Sequence, residues 1–162
     1  MFVDVTIEKI VPKYLEEYRG HEAVYLFTAS EVSLRGYIAV HRFRNGHATG
    51  GTRMMEYAHA TDALQDVLRL SEAMTNKCAV AGLPYGGSKV VIIGDPDKIK
   101  SEQFFKAYAQ VIDSLDGTVS TGEDVGIEQK DVDLLRTFSK NFLGSSELSG
   151  DPSPYAALST FH

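Results

Sequence analysis

The stretch Met74–Gly94, MTNKCAVAGLPYGGSKVVIIG, decides how this chain is read. It reads as the end of a helix, a short apolar strand, a glycine-rich loop and a second apolar strand. Lys77 and Lys89 punctuate it, one on each side of the loop. Lys89 stands between Gly86–Gly87–Ser88 and the apolar run Val90–Ile93. A lysine fixed between a tight turn and a buried strand is desolvated, and a second ammonium nearby adds repulsion. Both effects disfavour the charged form and lower the pKa. A lysine in that state serves as a base near neutral pH.

Plainer readings stand beside this one. A lysine in the last turn of a helix is favoured by the helix dipole alone, which suffices for Lys77. Lys89 does not belong to a nucleotide phosphate loop. From Gly82 the chain runs one residue too long for that motif, and Val90 stands where a serine or threonine should be. The glycines fit better as places where a ligand or another strand approaches the backbone.

The length of 162 residues suits one domain, or one domain with a fragment of another. A hydrophobic share of 43% is enough for a core, and a net charge of −6 argues against nucleic acid and anionic membrane surfaces. No apolar run has the length to span a bilayer, and acids stand where a signal peptide carries basic residues. The single cysteine, Cys78, fits a reducing cytoplasm and reads as a small buried residue rather than a nucleophile. The five histidines show no zinc spacing, so no metal site is expected.

Around the central stretch, the pattern predicts a short helix over Pro12–Tyr18 and two antiparallel strands, Glu22–Ala29 and Leu34–His41. A loop over Arg42–Tyr57 follows. Its GGTRM segment, Gly50–Met54, is either an anion site or a plain turn. Helical periodicity covers Thr61–Lys77 with Thr61 as N-cap, and places Met74 and Lys77 on one side of the last turn. Ser101 caps a second amphipathic helix. A strand over Thr118–Thr121 leads to Gly122–Glu123–Asp124. Acids there either face a ligand at the strand's C-terminal end or favour the N-terminus of a third helix, Ile127–Ser139.

The ordered set GGTRM, MTNK, GLPYGGSK–VVIIGDP, GEDVG and DPSP closely resembles the N-terminal domain of the Glu/Leu/Phe/Val amino-acid dehydrogenases, over about residues 22–160. The leucine and phenylalanine enzymes are the nearest in pattern. The resemblance implies an α/β three-layer sandwich: a mixed sheet of about five strands with helices on both faces. It implies dimerisation and substrate binding over 1–143, with a linker and the start of a connecting helix over 144–162. It further implies that the Gly50–Gly51 backbone and Lys77 hold a substrate carboxylate, and that Met74 packs beside it. Lys89 would be the general base and Asp124 the proton shuttle. The implied reaction is reversible oxidative deamination of an L-amino acid to a 2-keto acid and ammonia, in a cytoplasmic homo-oligomer of dimer size or larger.

Three departures qualify that pattern. The family continues into a Rossmann domain for NAD or NADP, and no G-x-G-x-x-G unit occurs here, so the isolated chain is expected to be inactive. Asp151 and Ala156 stand where the family has an asparagine and a nicotinamide-facing threonine. Thr49 and Gly122 stand where the leucine enzymes carry an aliphatic residue and an alanine, which opens or polarises the side-chain pocket. Two rival functions remain: a non-catalytic amino-acid or keto-acid sensor or assembly domain, and a Schiff-base enzyme using Lys89 as nucleophile.

Overall fold

The computed structural model describes residues 2–144. Six strands form one mixed sheet: β1 (Thr6–Lys9), β2 (Ala23–Ala29), β3 (Leu34–Val40), β4 (Ala48–Met55), β5 (Gly86–Ile93) and β6 (Val119–Gly122), in the order β1-β2-β3-β5-β4-β6. β1, β2, β3 and β5 pair antiparallel in succession, whereas β4 pairs parallel to β5 and β6 on its two sides.

Parallel neighbours need crossover helices. Helix α1 (Ala60–Val80) connects β4 to β5; the short α2 (Pro96–Ile99) and then α3 (Glu102–Asp113) connect β5 to β6. The first connection moves one way across the sheet and the second moves back. Crossovers of one hand then place their helices on opposite faces. The cores agree. Val91 of β5 packs with Val67 and Leu68 of α1, while Val90 and Ile92 pack with Phe104, Tyr108 and Ile112 of α3 and with Val132 and Leu135 of α4 (Gln129–Phe138). The alternation along β5 is that of a strand buried on both faces, which is why VVII is apolar without a break.

The expected sandwich is present, with one strand more than the sequence suggests and several elements redrawn. The extra strand is β1, a polar TIEK segment at the sheet edge that pairs Thr6 with Thr28 and Lys9 with Tyr25. It covers β2, so Glu22–Ala29 is not an edge. Pro12–Tyr18 is not a helix. It folds as successive turns in which Leu15 N–H donates to Pro12 O and Tyr18 N–H to Leu15 O, a segment too short to sustain helical hydrogen bonding. Half of the expected loop over Arg42–Tyr57 is strand β4. α1 runs through Cys78–Val80, read from sequence as a strand, and its N-cap is His59 rather than Thr61, in a reciprocal cap with Asp62. Ser101 caps α3 as expected, accepting from Phe104 N–H. Cys78 is buried and free, and burial raises its thiol pKa. Asp151 and Ala156 lie outside the described residues. Among the described residues, no helix is long and apolar enough to cross a membrane.

The glycines after Tyr85 are part of β5, and each removes a side chain where backbone arrives. A Cβ at Gly86 would lie 1.8 Å from Arg42 O, and one at Gly87 would lie 2.0 Å from the Thr75 nitrogen. Gly87 therefore sets the distance between α1 and β5. Gly87→Ala is expected to lower unfolding free energy by roughly 3 kcal/mol, as overpacking against rigid backbone does. Gly82→Ala meets nothing within 4 Å and strains only a φ of +67°, so it should cost about 1 kcal/mol. Urea unfolding of both variants checks the order, and the reverse order would contradict the packing.

Candidate active site

Side chains on alternate positions of a strand share a face. On the face covered by α1, β5 presents Gly87, Lys89 and Val91; β4 presents Thr49, Gly51 and Arg53; β6 presents Ser120 and Gly122. Side-chain and backbone contacts fix the assignment: Gly87 abuts Thr75 of α1, Gly51 abuts Lys89 Nζ, and Arg53 bonds Asp66 of α1. Lys77 and Met74 come to the same face from the last turns of α1. Lys77 is exposed, Met74 is half-buried, and Lys89 is 7% exposed.

Lys89 Nζ lies 2.8 Å from Asp124 Oδ2, just beyond the end of β6. Arg53 Nε bonds the same oxygen at 3.1 Å. Arg53 reaches on to Asp66 Oδ2 at 3.3 Å, where the Tyr57 hydroxyl also donates at 2.6 Å; Arg69 takes Asp66 Oδ1 at 2.6 Å. Charges alternate along this row: Lys89, Asp124, Arg53, Asp66, Arg69.

Burial holds the Lys89 ammonium below its ordinary value; Asp124 works to restore it, and Arg53 and Lys77 press it down again. For Asp124, burial favours the neutral acid, but the ammonium of Lys89 and the guanidinium of Arg53 outweigh it and hold the carboxyl below its ordinary 3.8. Burial also acts against the Asp66 anion, and hydrogen bonds from Tyr57 and Arg69 with the charge of Arg53 overcome it. The pair thus combines a lysine that gives up its proton more readily than a free one with a carboxylate more acidic than a free one.

Residues 25–140 match the family described as Glu/Leu/Phe/Val dehydrogenase, dimerisation domain. The chain belongs to this family. It is 41% identical to a phenylalanine dehydrogenase of Thermoactinomyces intermedius over 88% of this chain and 40% of that protein. Against a leucine dehydrogenase of Geobacillus stearothermophilus the identity is 42%, over 92% of this chain and 41% of that protein. The chain therefore spans about two fifths of the length of these curated relatives. The crystal structure of L-tryptophan dehydrogenase from Nostoc punctiforme superposes with a TM-score of 0.72 at 39% identity, over 76% of this chain and 37% of that one.

Within this domain, Lys77, Lys89, Met74, Gly51, Thr49, Gly122 and Asp124 converge on one face. Gly50 and Gly51 are strand residues, not a turn. Their pairing with β6 is intact, opposite Thr121 and Gly122, but the β4–β5 ladder skips both. A Cβ at Gly50 would lie 1.8 Å from Ser88 O; one at Gly51 would lie 2.7 Å from Glu123 O and 3.2 Å from Lys89 Nζ. The Arg53 guanidinium of GGTRM is committed to two carboxylates, so an anion would meet glycine backbone here rather than a free arginine. The Thr49 hydroxyl accepts from Ser120 at 3.3 Å, and Ser120 in turn sits 2.8 Å from His47 Nε2. A Cβ at Gly122 would lie 2.9 Å from Leu143 O, so this glycine also keeps the 141–144 segment close.

Asp66, Tyr57 and the pairing of Arg53 with two carboxylates escaped the sequence reading. The spacing that could have revealed them is parity: Arg53 is two residues from Gly51 in a strand, hence on its face. Asp124→Asn would leave the buried Lys89 and the half-buried Arg53 without their shared partner, at a cost on the order of 2 kcal/mol near neutral pH. Because the folded-state value of Asp124 is depressed, this stabilisation is full above its ordinary 3.8 and is lost as pH falls through the lower folded value. Urea unfolding of parent and variant across that range should show the difference at pH 7 and its disappearance in acid; a constant difference would contradict the assignment.

Proposed function

We propose that this chain is the substrate-binding and catalytic-lysine part of an NAD(P)-dependent L-amino-acid dehydrogenase, with residues 1–143 as the domain and 144–162 leading onward. The observation that carries the reading is Lys89 Nζ at 2.8 Å from Asp124 Oδ2, on the face shared with Lys77. In the hydrolytic half of the reaction, neutral Lys89 takes a proton from water as its oxygen attacks the substrate imine carbon. Asp124 relays a proton to the nitrogen, which departs as ammonia. Lys77 and the Gly50–Gly51 backbone hold the α-carboxylate, and Met74 borders it. Among the described residues, no glycine-rich strand–turn–helix unit forms a dinucleotide cradle. NAD or NADP belongs with a further domain of the protein, and the isolated chain is inactive on this reading.

The relatives are named for phenylalanine, leucine and tryptophan at nearly equal identity, so substrate choice rests on this chain's own pocket. Gly122 leaves out a methyl group that would press on the Leu143 carbonyl, so the room it gives lies toward residue 143, and Thr49 has Ser120 as a local partner and need not repel an apolar side chain. A larger, aromatic side chain is favoured over valine by about 1 kcal/mol. The domain also self-associates in solution, as the family description suggests, through the N-terminal strands with β1 rather than β2 as the free edge.

In the full-length protein, Lys89→Ala should lower kcat by about two to four orders of magnitude, the usual worth of a general base. Lys77→Ala should chiefly raise KM, since it removes a contact present in ground and transition states alike. Steady-state kinetics on a panel of L-amino acids checks both, along with the order of phenylalanine and valine; the opposite kcat and KM pattern would exchange the two roles. Sedimentation at high micromolar concentration should show a dimer or larger, and a monomer would count against the association.

A further inference from the structure

We propose that Arg53, anchored on Asp66, is a positioning residue for proton transfer: it grips Asp124 by Oδ2 and stays as that carboxylate's counterion when Lys89 gives up its proton. This rests on the role of Lys89 and Asp124 proposed above and adds the group that lets them divide the work.

The difficulty lies in the ion pair itself. A lysine bonded to a half-buried carboxylate is held in its charged form, because deprotonation would leave that carboxylate unpaired. With Lys89 and Asp124 alone, the base would be locked by its own partner. Arg53 removes the lock. Its Nε lies on the same oxygen as Lys89 Nζ, at 3.1 Å against 2.8 Å, and a guanidinium does not deprotonate in a protein. When Lys89 becomes neutral, Asp124 still has a fixed cation in contact.

The shared use of Oδ2 has a second consequence. No side chain among the described residues bonds Asp124 Oδ1, and a quarter of the side chain remains exposed, at 24%. One oxygen is clamped by two side chains; the other carries none, with the Val125 backbone as the carboxylate's remaining partner, and faces the substrate nitrogen. Asp66 keeps the clamp in place. It takes Arg53 on one oxygen together with Tyr57, and Arg69 on the other, so the guanidinium is fixed from both ends. The planar fork of arginine suits this bridge between two carboxylates, which a lysine ammonium matches only in charge.

The charged groups facing Lys89 are Asp124 from the β6–α4 connection, Arg53 from β4 and Lys77 from α1. Removing Arg53 takes away one repelling cation and returns Asp124 wholly to Lys89, so both changes favour protonated Lys89. The test follows the Lys89 ε-carbon by NMR against pH in the 162-residue chain labelled with 13C-lysine, its resonance assigned by its loss in Lys89→Arg. In Arg53→Gln the neutral fraction of Lys89 at a fixed pH should fall about tenfold. Arg53→Met, which keeps the aliphatic stem, is read the same way should the glutamine variant not fold. Arg53→Lys should bring the titration back toward the parent. An unmoved titration in the neutral variants, or a lysine variant no different from them, would overturn the proposal.

In the full-length protein, the rising limb of kcat for oxidative deamination should move to higher pH in Arg53→Gln, a change that a purely structural role would not produce. If the parent shows no dehydrogenase turnover, the functional reading fails while the NMR result still decides the role of Arg53.

Discussion

The close approach of α1 to β5 across Gly87 is the constraint on which the rest of the site depends. With 2.0 Å between the Thr75 nitrogen and the place where a Cβ would stand, helix and strand are nearer than two side-chain-bearing elements can come. That proximity brings Lys77 close enough for its charge to act on Lys89 two positions along the strand from Gly87. It also fixes the other end of the same helix, so that Asp66 meets Arg53 from β4. A single missing methyl group thus places one charged contact and one charge effect more than two helical turns apart.

Much of the fold was legible because the strongest patterns were long. The period of α1 and α3 and the unbroken apolar run of β5 each follow from burial on one face or two. What escaped was decided by partners remote in sequence. TIEK is polar on three of four positions in its environment, and only its antiparallel register with β2 makes it a strand. GGTRM and GGSK look like loops by local propensity, since glycine weakens strands. They are strands because the neighbouring backbone comes so close that only glycine fits, a fact about Arg42, Thr75 and Ser88 that the local sequence does not hold.

The site was legible in its parts and not in its wiring. Lys77 was read at the end of a helix, Lys89 beside a glycine turn and Asp124 at the end of a strand, and the fold brings the three to one face. Arg53 was read beside the glycines as part of either an anion site or a plain turn. Its actual partners lie 13 and 71 residues away in sequence, on a helix face and a loop end. A residue's side of a strand can be counted from sequence, but which carboxylate arrives opposite it depends on the strand order β5-β4-β6. That order is a global property of the chain.

Stability alone does not account for the row of charges. Removing ions from water costs several kcal/mol each before their attraction is counted, and a buried ion pair replaced by well-packed apolar residues often leaves a protein equally or more stable. The face around the row shows that the chain has apolar residues to spend: Val91, Val67, Leu68 and Ala39 fill the adjoining core without a polar atom in their side chains. Keeping Lys89, Asp124, Arg53 and Asp66 in contact therefore sacrifices solvation for geometry. Two of the four share one oxygen of Asp124, leaving the other without a side-chain partner among the described residues, and the lysine among them is the group most easily deprotonated. An arrangement chosen for rigidity would pair every lone pair and bury no titrating base. This one holds its fixed charges, Arg53 and Asp66, toward one end and a labile proton, on Lys89, at the other.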